Sequence, residues 1–196
     1  MKRLIILSAL VITMSVVASP VDEAEAALKL KNYALAISKF GDAAASGSTY
    51  ALIKLSALSK ENRGSKEVFD LAFNKIENRS KTGDKRSKMV LASAYLMGHL
   101  VKRNCTVALN LHKELASEGD EVAQHNLGGM YLSGDCVPKD YVLGYMWRSL
   151  NLAQNTNENG TEFLVSLERN LMSRDQVAQA QKMARDCFKN KYKNCD

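Results

Sequence analysis

Only two prolines, Pro20 and Pro138, interrupt this 196-residue chain. Helices can therefore run between turns without the lost donor and the ring clash that proline imposes. Runs of β-branched residues are short beyond the first twenty positions, so strands have little support. The sequence also lacks the short patterns that build common reaction centres. There is no G-x-G-x-x-G and no Gly-Lys pair to cradle phosphate, no G-x-S-x-G elbow, and no C-x-x-C or H-E-x-x-H for a metal. His99, His112 and His125 stand singly, as surface or partly packed histidines do. No metal, cofactor or catalytic group is expected.

What is present favours helix. Apolar residues make up 46% and charged residues 24%, and Ala, Leu, Lys, Glu and Gln recur throughout. These side chains lose little freedom on a helix surface. The start is distinct: Lys2 and Arg3 precede an apolar run, Leu4 to Val17, that is shorter than the ~20 residues of a comfortable bilayer span. It closes on Val16-Val17-Ala18, which predicts a signal segment over residues 1–18 cleaved after Ala18, an uncleaved anchor being the alternative. Without Lys2 and Arg3 the net charge of +6 falls to +4, too mild for a nucleic-acid-binding stripe. Basic residues concentrate at Lys182, Arg185, Lys189, Lys191 and Lys193. A solubilising helix end or contact with an anionic envelope surface both fit them.

A period of 36 runs through the remainder. Gly47, Gly83 and Gly119 keep it, and Asn155 follows at the next step. Ala36, Ala72, Ala108 and Gly144 share the spacing, as do Leu55, Leu91 and Leu127, each followed by a small residue. Ala51, Ser87 and Ala123 form another set; Tyr95 pairs with Tyr131 and Gly98 with Gly134. The frame predicts four units over residues 19–155, each a pair of helices. Phe69, Ala72, Phe73 and Ile76 show the i, i+3, i+4, i+7 face of one such helix. One pair cannot bury its own apolar face, whereas stacked pairs share a core. Residues 156–196 add a capping pair. Its stripes are Leu164, Leu167 and Leu171, then Val177, Ala180, Ala184, Cys187 and Phe188, with Ser173 and Gln176 at capping-box spacing.

Ala123 to Asp140 reads A-x-x-N-L-G-x-M-Y-x-x-G-x-x-V-x-x-D, continued by Gly144 and Trp147. This resembles the Sel-one-like (SLR) repeat family, relatives of the tetratricopeptide repeats. The third unit follows with Leu91, Ala92, Tyr95, Gly98, Val101, Ala108 and Gly119, while the first two keep mainly small residues and terminal glycines. The resemblance implies an all-α, right-handed superhelix of stacked antiparallel helix pairs. It also implies an adaptor that binds another protein or peptide, in a bacterial envelope or facing a host. A cell-wall or β-lactam-directed binding protein is the alternative function. Lys81-Thr82-Gly83 matches one triplet of penicillin-recognising enzymes, but no S-x-x-K or S-D-N accompanies it.

Four cysteines follow the leader, an even count that suits the oxidising periplasm or exterior. Cys105 falls at the start of the third unit's second helix and Cys136 in the turn of the fourth, on one edge of the stack. Cys187 lies ~21 Å along the last helix from its start, too far to reach that edge. The expected bridges are therefore Cys105–Cys136 and Cys187–Cys195. Trp147 falls at a core register. The first helices are expected to line the binding face, with His125, Asn126, Met130 and Tyr131 as candidates. The sequons at Asn78, Asn104 and Asn159 match by pattern only.

Overall fold

A computed structural model describes residues 18–154 and 158–195. The proposed leader, apart from Ala18, and the turn residue Asn155 lie outside that range. Ten helices form, with no strand among the described residues. They are α1 (Pro20–Lys29), α2 (Tyr33–Ala45), α3 (Thr49–Lys60), α4 (Lys66–Lys81) and α5 (Lys85–Met97). The remainder are α6 (Cys105–Ser117), α7 (Glu121–Ser133), α8 (Tyr141–Gln154), α9 (Glu158–Leu171) and α10 (Arg174–Lys189).

Local chemistry sets the helix starts. Asn32, Ser48, Asp84, Asn104 and Asp120 each accept a hydrogen bond from the backbone N–H three residues on, satisfying a donor the first turn leaves free. Ser19 and Ser173 form complete capping boxes with Asp22 and Gln176. Asp140 receives the N–H groups of both Val142 and Leu143 at the head of α8. The glycines spaced by 36 end α2, α4 and α6: Gly47, Gly83 and Gly119 have φ of +100°, +87° and +80°. These are backbone conformations that a Cβ strongly disfavours.

Packing follows the small residues of the frame. Ala36, Ala51, Ala108 and Ala123 have no exposed surface, and Leu55, Leu91 and Leu127 are buried beside them. One apolar core runs from α1 through α5, and a second joins α6, α7 and α8 to the end of α10. A third, smaller cluster seats Leu164 and Leu167 of α9 against Tyr145 and Ala180. Leu171 and Phe188, placed on the apolar stripes by sequence, are instead half exposed among the described residues.

The second pair departs from simple stacking. α3 and α4 hardly touch; α4 lies along α2 and against α5. In the connection, Gly64 lies close to α2 and α4: an added Cβ would fall 2.5 Å from Ile37 Cδ1 and 3.2 Å from the Phe69 ring.

Candidate functional site

The face made by the first helices of successive pairs is closed in one place and open in another. Between α1 and α3, Glu25 accepts from the Tyr50 hydroxyl at 2.6 Å and pairs with Lys54 at 3.1 Å. The Tyr50 hydrogen bond and then the Lys54 ammonium hold that carboxyl below its ordinary pKa. Between α5 and α7 a groove of about 360 Å³ opens instead, lined by residues including Leu96, Met97, His125, Asn126, Gly129 and Met130. Met97 is 63% exposed at its rim. Of the candidates read from sequence, His125 and Asn126 face this groove. Met130 lines it but is 3% exposed, and Tyr131 is buried, so both serve mainly as packing residues.

Beyond His125 the surface turns polar and cationic. Arg148, on α8, passes between α7 and α9: its Nη1 lies against the His125 ring, 2.5 Å from Nδ1 and 2.6 Å from Nε2, and its guanidinium stacks 4.7 Å above the Phe163 ring. Asn151, one turn on, donates to the Glu121 carbonyl at 2.9 Å and ties α8 to the head of α7. Gly128 makes room for this side chain, since an added Cβ would sit 2.8 Å from Arg148 Cγ. Burial lowers the pKa of Arg148 from its ordinary value, and burial followed by the neighbouring Arg148 charge lowers that of His125. Burial and the neighbouring guanidinium charge both favour the neutral imidazole. Nothing in the residues around Arg148 marks it; only its place 36 residues after His112 does.

The other singled-out residues take structural places. Cys105 is bonded to Cys136 and Cys187 to Cys195, with Cα–Cα distances of 4.9 and 5.0 Å. Cys136 adopts φ +66°, as Leu100 does 36 residues earlier at +65°. Trp147 is 2% exposed in the second core. His99 shares a 2.8 Å hydrogen bond with Ser56. His112 departs from the surface expectation: it is fully buried, and neither ring nitrogen has a hydrogen-bond partner among the described residues. Lys81-Thr82-Gly83 is the end of α4, where Thr82 caps the helix and donates its hydroxyl to the Arg79 carbonyl at 2.7 Å. Among the described residues, no group of three or more acidic, His or Cys side chains is arranged to hold a metal ion.

No family model matches the sequence, and no curated protein matches it. Solved structures do. The chain is similar to c5321, a protective antigen present in uropathogenic Escherichia coli strains that displays an SLR fold. That likeness covers 88% of this chain at 23% identity with a TM-score of 0.58. It covers 39% of c5321, so this chain spans well under half the length of that protein. A Sel1 repeat protein from Oxalobacter formigenes aligns over 65% of this chain and 95% of its own, at 28% identity and a TM-score of 0.45. Helix pairs in succession, glycine-marked ends and the likeness to c5321 converge: the fold of this chain is the SLR fold, an all-α solenoid of helix pairs.

Proposed function

We propose that the chain is an exported adaptor that holds a protein or peptide in the groove between its first helices. The observation that carries this reading is the α5–α7 groove, with apolar Leu96 and Met97 beside polar His125 and Asn126. Mixed surfaces of this kind suit a peptide, whose backbone needs polar partners and whose side chains need apolar contact. Solenoids supply such extended surfaces by stacking similar units without a central reaction chamber. In this reading the protein binds and does not catalyse.

Export is supported by two observations. The leading apolar segment has the length and ending of a cleaved signal, and two bridges per chain suit an oxidising compartment. No described helix is long and apolar enough to cross a membrane. Mild crosslinking of a tagged, secreted copy in envelope extract, followed by capture, tests the reading. It predicts a specific protein partner that is lost when Met97 and Asn126 are both replaced by Asp. Recovery of no partner, or of the same set with both proteins, overturns it.

A further inference from the structure

The second helices α2, α4, α6 and α8 place Phe40, Ile76, His112 and Arg148 at one register, each 36 residues after the last. Phe40, Ile76 and His112 have no exposed surface. A core position in three pairs thus carries a permanent cation in the fourth, where it reaches out between α7 and α9. Charge at a packing register is costly unless it is matched.

Several other half-buried cations are matched. Lys39 pairs with Glu23, Lys54 with Glu25, Lys75 with Asp42 and Lys88 with Glu114. Arg148 faces no carboxylate among the described residues. Its Nη1 meets the His125 ring, and the guanidinium overlies the face of Phe163. That leaves the Nε–Nη2 edge of the planar fork, the two parallel N–H groups whose spacing fits one carboxylate. His125 touches Arg148 and also lines the α5–α7 groove, so a chain in the groove that passes over His125 comes next to the guanidinium.

We propose that Arg148 anchors an acidic peptide segment, its free guanidinium edge taking a side-chain carboxylate of a chain that lies in the α5–α7 groove. Phe163 and His125 hold the fork in place before the ligand arrives, which lowers the ordering cost of binding. Gly128 acts as a positioning residue by leaving space for the Arg148 stem. A chain lying along the groove meets the guanidinium from its side, which favours a side-chain carboxylate over a terminal one. This inference rests on the adaptor reading and names the chemistry of its ligand.

The test uses the full, oxidised chain and three fluorescent pools of short peptides, randomised except at the centre. One pool is amidated with glutamate fixed at the centre, one amidated with glutamine, and one carries glutamine with a free C-terminus. The glutamate pool is expected to bind, more weakly at high salt, and Arg148→Met to weaken it about tenfold or more without lowering the melting temperature. Lys189→Met/Lys191→Met is expected to leave it unchanged. Arg148 Nη resonances in the native protein should shift on addition of that pool, a readout that survives even if Arg148→Met folds poorly. Equal binding of the glutamate and glutamine pools, preference for the free C-terminus, unaltered Arg148 resonances, or displacement by equimolar inorganic phosphate would each overturn the assignment. If Arg148→Met captures the same crosslinked partner as the native chain, the carboxylate anchor fails while the adaptor reading stands; if neither captures a partner, the adaptor reading itself fails.

Discussion

His112 occupies the place that Phe40 and Ile76 hold in earlier pairs, with both ring nitrogens buried and unpartnered. Desolvation draws its pKa from 6.5 down to about 4, against a smaller upward pull from Asp120. The folded pKa lies below the unfolded one, so protons bind the unfolded chain more tightly. Above pH 6.5 the ring is neutral folded and unfolded and adds no pH dependence, and stability falls progressively as the pH drops toward 4. The full loss is about 3 kcal/mol. Urea unfolding at pH 7.5 and 4.5 should show this slope, flattened in His112→Leu; an unchanged slope would assign it to carboxylates elsewhere. Gly119 is a second sensitive residue. Its φ of +80° disfavours any Cβ, and one there would meet the Tyr192 ring at 3.1 Å. Gly119→Ala should cost about 1–3 kcal/mol by the same measurement. Composition marks such glycines clearly through their spacing. It does not mark His112, because a histidine looks alike in sequence whether it is buried or wet.

The start of the last helix at Ser173 was legible because caps are local: a Ser, Asp or Asn side chain reaches only three residues ahead. The Ser173–Gln176 box and the Phe69-to-Ile76 face are both present as the pattern implies. Contacts that depend on loop shape were not legible, and the separation of α3 from α4 is the clearest case. The bridges act at this same level. Cys105–Cys136 closes a separation of 31 residues and Cys187–Cys195 one of 8. A longer closed loop removes more freedom from the unfolded chain, so the first bridge should contribute about 4 kcal/mol and the second about 2.5 kcal/mol. Urea unfolding of Cys105→Ala/Cys136→Ala and Cys187→Ala/Cys195→Ala gives the comparison. The reverse ranking would show that native-state contacts outweigh loop entropy here. The second bridge closes the turn that carries Tyr192 onto Gly119, so its loss should also loosen the junction of α6 and α7.

Across the whole molecule, stability in a stacked array is close to a sum of units and their junctions. α9 packs lightly on α8 and leaves Phe163, Val165 and Leu171 exposed, whereas α7 is packed closely between α6 and α8. Hydrogen exchange should therefore be fastest in α9 and slow in α7. Ligand in the Arg148 site should slow α9, since Phe163 belongs to that site; equal rates in α7 and α9 without ligand would contradict this account.

The period of 36, the helical composition and the caps were fixed by residue spacing alone, since backbone turns and amphipathic faces depend on neighbours a few positions apart. The tertiary structure decided which members of one register are buried and which emerge. Phe40, Ile76 and His112 are enclosed, while Arg148 is drawn out between α7 and α9 beside His125 and Phe163. The physical reason is that burial and charge pairing depend on what arrives from distant parts of the chain, and α9 brings to Arg148 the ring of Phe163.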